Sequence, residues 1–402
     1  MHILLLNDDA PPRSLGGASV IVDALRKGLT EANHKVTLIT SHQDARLGEE
    51  LRSSDSAGET ISLHIDYPIG KRHRKCLYIK EVSSRLKELF DELRPDVINA
   101  HNVHTHLTYD SLCIARIVTD KVFLTAHDTF LVSFDRVRSD KAKRMFFWDH
   151  LRDAGRKYWP LRNRKIKSIL KSSVKKVISI SHATEDFFHA NGITNTTVIP
   201  NGIASRPLPS QEEVDAFKSR YNLTGPTVFF GGRIRHDKGA GVLIDAIPLV
   251  LAKVPDAKFL IVGEEKHMES YLKIASDDVK KSLCMTGWLP YKDMPLTYAA
   301  SNVVITPSIY LDNFPTVNLE AMMFARPVVG TSFGGTKEAI ENNLNGFIRD
   351  PRNTESFADA IITLLSDSEL AEKMGSAGRT RFENQFTLKR MVGDYVNAYE
   401  SL

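Results

Sequence analysis

Short apolar segments alternate with stretches of helical periodicity along almost the whole chain, and this alternation restricts the fold more than any other feature. Strands are expected at 2–7, 35–41, 61–65, 96–100, 121–126, 176–181 and 197–200. Between them, stretches such as 18–32, 79–93 and 105–118 carry apolar residues at spacings of three and four, the period of a helix with one buried face. Periodicity lapses over 203–225, where Ser205, Pro207, Pro209 and Ser210 lie, and this segment reads as a linker. A second series follows, with strands at 227–231, 257–262, 284–286, 303–306 and 327–330 and helices at 240–252, 294–300, 317–324 and 354–365. A last helical stretch covers 388–399. Strands and helices in strict alternation specify parallel α/β layers. A chain of 402 residues exceeds what one core supports, so two such lobes are expected. Folds of this kind take ligands outside the carboxyl ends of their strands, which predicts a cleft between the lobes.

Composition excludes several classes. At 42% hydrophobic and 25% charged residues the chain is globular rather than disordered. Cys76, Cys113 and Cys284 are widely spaced and form no CxxC pair, which argues against a disulfide framework or zinc site and suits a reducing cytosol. The apolar run at the start is about five residues, short for a signal peptide, and no apolar segment approaches a membrane span. The net charge of +4 is unevenly spread: residues 136–176 hold fifteen Lys and Arg against three Asp, near +12, leaving the remainder near −8. Lys71, Arg72, Arg74 and Lys75 form a second basic cluster. Solvated helix faces explain such runs, and so does a surface for anionic lipid headgroups or a phosphorylated acceptor. Interleaved Phe146, Phe147, Trp148, Tyr158 and Trp159 suit a membrane interface. No nucleic-acid recognition motif accompanies the charge. The expected residence is cytoplasmic, with peripheral attachment to the inner face of a membrane through segment 136–176.

Three loops carry chemistry. Gly16-Gly17 precede the first helix, where backbone can approach a phosphate and the helix start presents free amides. The pattern is not GxGxxG, which disfavours a nicotinamide or flavin enzyme. In the second series Gly231-Gly232-Arg233 and Lys238-Gly239 follow a strand and precede a helix. Arg233 offers a planar fork and Lys238 a compact charge to phosphate oxygens, the help that a diphosphate leaving group needs. No Asp-x-Asp pair occurs, so no evident metal–diphosphate clamp competes for that role and no metal is expected. The third loop runs Asp312-Asn313-Phe314-Pro315-Thr316-Val317 into a helix that carries Glu320. Proline is a recognised helix starter, and the amides after it can receive an anion. Glu320, about one turn into the helix, is placed to accept from two ribose hydroxyls, and Asp312 from sugar hydroxyls.

On these residues the chain resembles the family 4 (group 1) retaining glycosyltransferases of GT-B fold. An acidic residue, seven intervening residues and Glu match Asp312 and Glu320, with Asp where the family usually has Glu. Gly232, Arg233, Lys238 and Gly239, then Ile261-Val262-Gly263, resemble its phosphate-binding elements, and Thr286-Gly287-Trp288 its base-contacting stretch. Gly334-Gly335-Thr336-Lys337-Glu338 and Asn345-Gly346-Phe347 resemble its closing pattern. In the first lobe the likeness rests on Gly16-Gly17, Thr125-Ala126-His127-Asp128 and Ile199-Pro200-Asn201-Gly202.

The resemblance implies two Rossmann-like lobes: 1–203 for the acceptor and 226–385 for the nucleotide sugar, with a helix at 386–402 crossing back to brace the first lobe. It implies a UDP- or GDP-linked sugar donor as substrate and no cofactor. Asn313, Phe314, Pro315, Thr316 and Val317 would touch the donor, and His127 would reach its sugar. His101, His104 and Asp128, at strand ends, would line the acceptor site. A metal reading of His101, His104 and His106 lacks a nearby Cys or carboxylate to complete it. The mechanism implied is front-face displacement, the departing phosphate taking the acceptor's proton. Rival readings are a nucleotide-sugar epimerase or phosphorylase on the same scaffold, and a catalytically silent membrane-surface binding protein.

Overall fold

The structure, a computed structural model, describes the chain apart from residues 15, 139–142, 233 and 402 and the side chain of residue 156. Two compact units form. One comprises Met1–Val137, Ala142–Ala204 and Leu388–Leu402, and the other is built on Ser205–Thr387.

Among the described residues the first unit holds eight strands: β1 (His2–Leu6), β2 (Lys35–His42), β3 (Glu50–Asp55), β4 (Gly58–His64), β5 (Val97–Ala100), β6 (Val122–Ala126), β7 (Lys176–Ser179) and β8 (Thr196–Val198). Their order is β3-β4-β2-β1-β5-β6-β7-β8, and every pairing is parallel except the β3–β4 hairpin. Because β1 lies between β2 and β5, connections leave it in opposite directions, which opens a crevice at its carboxyl end. The parallel strands read as apolar runs because helices cover both faces. β3 does not: Glu50-Leu51-Arg52-Ser53-Ser54-Asp55 is largely exposed. It is an edge strand blunted by charge, with Arg52 paired to Glu50 and Glu92.

The last helix, Leu388–Ser401, belongs to this first unit although the whole second unit precedes it in sequence. Met391, Val392, Tyr395 and Tyr399 join the core formed by Ile3, Leu5, Ile21 and Leu25. Its polar groups are tied down below the sheet. The Asn99 amide donates to the Tyr399 hydroxyl at 2.7 Å, Thr125 Oγ1 to Asn99 Oδ1 at 3.2 Å, and the Tyr395 hydroxyl to Thr125 at 3.3 Å. The stretch Ile199-Pro200-Asn201-Gly202 is the seat for the helix's first turn: Arg390 donates to the Pro200 and Asn201 carbonyls, and Met391 Sδ accepts from the Gly202 amide.

Among the described residues the second unit has six strands: β9 (Thr227–Gly231), β10 (Lys258–Val262), β11 (Leu283–Met285), β12 (Val303–Thr306), β13 (Val328–Thr331) and β14 (Gly346–Arg349). The order β11-β10-β9-β12-β13-β14, all parallel, reverses between β9 and β12. Its core packs helices Ala240–Leu251 and Thr354–Ser366 through Leu243, Ile247, Phe357 and Ile361.

Several expectations need correction. Segment 203–225 is not merely a linker, because Gln211–Arg220 is a helix. Ser210 accepts from the Glu213 amide while Glu213 accepts from that of Ser210, a capping box hidden behind two prolines. The helix expected over 105–118 begins only at Asp110, because a buried carboxylate takes the amides of residues 105–107. Strands β3 and β14 and the long helix Ser368–Gln385 were not anticipated.

Close contact between helices makes one packing prediction. A Cβ at Gly28, in helix Gly17–Glu31, would lie 2.5 Å from Val392 Cγ2. Gly28→Ala gains about 1 kcal/mol of helix propensity but overpacks at a cost of about 1–3 kcal/mol. A net loss of stability is expected by denaturant unfolding. In Gly28→Ala/Val392→Ala the loss should be smaller than the sum of the single effects.

Candidate active site

The carboxyl edge of the second unit's sheet gathers the motifs of its loops. The loop after β9 is pressed onto the loop after β12. Gly239 sits at φ +85°, and a Cβ there would lie 2.1 Å from the Pro307 carbonyl oxygen, so only glycine permits the approach. The Ile309 amide, donating to the Asp237 carbonyl at 2.9 Å, holds the two loops together. The contact sets Lys238 Nζ 2.7 Å from Asp312 Oδ2, which also accepts from Ser308 Oγ at 2.8 Å. Lys238 further lies 5.2 Å from the centre of the Tyr310 ring. From behind, the Gly335 amide donates to the Asp312 carbonyl at 2.8 Å, and Gly334, at φ +67°, leaves no room for a Cβ beside the Asp312 backbone.

Burial alone would raise the Asp312 carboxyl. The Lys238 charge and the hydrogen bonds it accepts outweigh burial and hold it below its ordinary value. The same partnership lifts Lys238 above the usual lysine range, although burial acts the other way. Both groups are therefore charged at neutral pH.

Four residues past Asp312 begins the helix Thr316–Met323, with Pro315 at its N-cap and no side chain capping it. Its amide-rich end is thus open to an anion. Glu320, one turn in, accepts from the Tyr298 hydroxyl through Oε2 at 2.7 Å. Burial raises this carboxyl, against the pull of Tyr298 and the charge of Arg206. Among the described residues no side chain or amide donates to its Oε1. Asn313 is buried and Phe314 packs on Phe386, so these two brace the loop from inside.

Farther along the same edge, Gly263 donates its amide to the Gly287 carbonyl at 3.1 Å, joining the ends of β10 and β11. Gly232 donates to the Val262 carbonyl at 3.2 Å. Thr286 reaches back to the Ile261 carbonyl, and Trp288 lies exposed with Nε1 donating to Glu264 at 3.4 Å. The fold thus brings Gly232, Lys238, Gly263, Thr286, Gly287, Trp288, Asp312 to Val317 and Glu320 to one sheet edge. Arg233 lies outside the described residues.

In the first unit the crevice at the end of β1 is organised by Asp8. Its Oδ2 accepts from the Thr105 amide at 2.7 Å, and its Oδ1 from those of His106 and Leu107 at 2.9 and 2.8 Å. Burial pushes this carboxyl up, opposed by His104, His106 and the amides. The clamp fixes the loop after β5 and with it His101, whose Nδ1 is 2.9 Å from His127 Nε2 at the end of β6. Burial keeps both imidazoles neutral at pH 7, with His127 drawn down to about 4. His104 Nε2 is 3.5 Å from Asp128 Oδ2, and its ring stacks 4.4 Å from that of Phe130. A carboxylate does therefore stand beside His104, contrary to the sequence reading. Even so, no three His, Cys, Asp or Glu side chains among the described residues converge as metal ligands. Gly16 caps the helix Gly17–Glu31 without a side-chain bond, leaving that helix start open too.

Sequence reasoning missed Asp8, Tyr298, Ser308 and Arg206. Asp8 had a signal, an acid directly after the first strand. Tyr298 and Arg206 act through contacts made only on folding, and Ser308, four residues before Asp312 on the same loop, belonged to no motif.

Gly334→Ala should destabilise the second unit by about 1–3 kcal/mol, since strain at positive φ adds to the clash with Asp312; differential unfolding measures it. Acid should act on both units. Ionised Asp312 contributes stability that is full above the unfolded value of about 3.9 and fades as pH falls through its lower folded value. Asp312→Asn should remove that part of the acid limb of a Tm-against-pH curve. His127 adds a second window: the unfolded chain binds its proton near pH 6.5, the folded unit only near 4, so stability should decline as pH falls across that interval.

The chain is similar to known glycosyltransferases. The model of glycosyl transferases group 1 matches residues 211–381, and that of glycosyltransferase family 4 matches 15–205. An uncharacterised glycosyltransferase of Methanocaldococcus jannaschii is 25% identical over 409 aligned positions, covering 100% of this chain and 98% of its own. A GDP-mannose-dependent alpha-(1-6)-phosphatidylinositol monomannoside mannosyltransferase of Mycobacterium tuberculosis is 27% identical across 65% of this chain and 71% of its own. Among solved structures, sucrose-phosphate synthase of Thermosynechococcus elongatus superposes with a TM-score of 0.78 at 19% identity, over 100% of this chain and 98% of its own. HepE of Anabaena, in complex with UDP, gives 0.74 at 18% identity over the full length of both chains. These likenesses make the two α/β units the lobes of a GT-B fold. The two family matches, nearly end to end, cover both motif-bearing sheet edges, and the chain belongs to the group 1, family 4 glycosyltransferases.

Proposed function

We propose that the protein is a metal-independent retaining glycosyltransferase that takes a UDP- or GDP-linked sugar. The observation that carries the reading is the Lys238–Asp312 pair, 2.7 Å apart, beside the uncapped start of helix Thr316–Met323. A cation and free amides at a topological switch point form a diphosphate site. In this reading Lys238 and Arg233 stabilise charge on the departing diphosphate, and Glu320 accepts from the ribose hydroxyls through Oε1. Asp312 positions Lys238 and accepts from the donor sugar. The ends of β10 and β11, with Gly263, Thr286, Gly287 and Trp288, receive the base. Support for the donor class comes from the UDP complex of HepE and the GDP-mannose dependence of the mycobacterial relative.

The domain assignment follows. Residues 226–385 hold the nucleotide sugar, and 1–203 bind the acceptor through His101, His104 and Asp128, with 386–402 bracing them. Neutral His127 donates or accepts a hydrogen bond at the donor sugar, and the open amides at Gly16 and Gly17 assist the phosphate. The acceptor is a glycan or a lipid-linked or phosphorylated glycan. Its hydroxyl attacks the anomeric carbon from the face the diphosphate leaves, the C–O bond to phosphate breaks, and the freed phosphate oxygen takes the acceptor's proton. Configuration is retained without a protein nucleophile. The enzyme works in the cytoplasm, at the inner face of a membrane; among the described residues no helix is long and apolar enough to cross one.

A thermal-shift panel of UDP, GDP, ADP and their sugars identifies the donor, because a bound ligand raises Tm according to its affinity. With that donor, Lys238→Ala should lower kcat by about 10²–10³-fold and change donor affinity much less. Equal losses in both would contradict the role of Lys238 in the transition state. Chelation by EDTA should leave turnover unchanged, and NMR of the product should show the donor's anomeric configuration.

A further inference from the structure

The two basic runs, far apart in sequence, meet in the first unit around a shared set of rings. His73, from the 71–75 run, stacks 5.5 Å from Phe130 and lies 5.0 Å from Phe134. Phe134 in turn touches His150 at 5.8 Å and Tyr158 at 5.4 Å, both from the 136–176 segment. Arg162, fully buried, is sandwiched against the same two phenyl rings at 4.0 and 4.6 Å.

Large apolar side chains of the 136–176 segment are unburied. Phe146, Phe147 and Trp148 are 60%, 51% and 74% exposed, and Leu151 and Leu161 are exposed as well. Phe147, Trp148 and Leu151 fall within about 100° of arc on the helix Phe147–Ala154. His150, on its other side, anchors the helix by stacking on Tyr158. Arg144 lies 5.6 Å from the Phe146 ring, and Lys157, Arg164 and Lys165 are exposed in the same segment. An apolar ridge with aromatic tips, carried by a segment with a surplus of positive charge, complements the boundary between anionic headgroups and acyl chains. A soluble protein partner would need matching apolar pockets; a bilayer needs only negative charge and depth.

We propose that the ridge Phe146–Phe147–Trp148–Leu151 inserts into an anionic lipid surface, with Arg144, Lys157, Arg164 and Lys165 held over the headgroups. This deepens the reading of a lipid-linked acceptor and rests on it for its purpose, while the docking itself requires no catalysis.

Co-sedimentation of the full chain with vesicles tests it. Vesicles of phosphatidylcholine with phosphatidylserine should capture the protein at least about tenfold better than phosphatidylcholine alone, and salt should weaken capture. Phe147→Ser/Trp148→Ser and, separately, Arg164→Glu/Lys165→Glu should each lower capture by about tenfold. Both double variants should keep the Tm shift given by the nucleotide donor, which depends on the second unit. Equal capture by neutral and anionic vesicles would overturn the proposal. So would full capture of Phe147→Ser/Trp148→Ser, which would leave charge without insertion. A concentration-dependent dimer abolished by the same variant would assign the ridge to a second copy instead. Loss of vesicle capture with the donor Tm shift intact defeats only the docking; absence of any donor shift with capture intact defeats only the transferase reading.

Discussion

Lys238 and Asp312 stand 74 positions apart in sequence, and their pairing is the constraint around which the second unit's functional edge is arranged. A buried carboxylate or ammonium alone would lose its charge or destabilise the fold, and together they stay ionised. The pair needs close loop approach, which explains the two glycines that flank it. Gly239 lets the loop after β9 press on Pro307, and Gly334 lets the loop after β13 press on Asp312. Much of the motif vocabulary of this lobe therefore builds a rigid cationic point beside an open helix end. The chemistry of a departing diphosphate calls for such a preorganised charge.

The first unit solves a similar problem with a different part. Asp8 gathers three amides of the loop after β5, and that loop delivers His101 to His127. Burial keeps these imidazoles uncharged, so they act as hydrogen-bonding groups with a defined polarity rather than as cations. Beneath them, Tyr395 and Tyr399 from the chain's last helix close a hydrogen-bond network through Thr125 and Asn99. Thr125 lies two residues before His127, so the terminal helix supports the strand that ends in the site.

Legibility followed physical range. The parallel strands were readable because burial on both faces leaves continuous apolar runs, whereas β3, half polar and at an edge, carried no such pattern. The capping box Ser210–Glu213 was readable in principle, but the prolines before it drew the segment toward a linker. Spacing placed Asp312 and Glu320 on one loop and helix, since both lie within one short stretch. Nothing local linked Glu320 to Tyr298, because that contact arises where two helices meet; Ser308, four residues before Asp312 on the same loop, lay within local reach but carried no motif of its own.

By itself, the sequence determined the class of fold, the two-lobe division, the glycine-rich and acidic loops and the strongly basic character of residues 136–176. Periodicity and local composition are properties of neighbours along the chain, so they survive without a structure. Only tertiary structure decided that Lys238 is paired with Asp312, that Asp8 holds the amides of residues 105–107 so that the next helix begins only at Asp110, and that two basic runs converge on one aromatic box. Those outcomes depend on burial and on distances between residues remote in sequence, which close only when the sheets assemble.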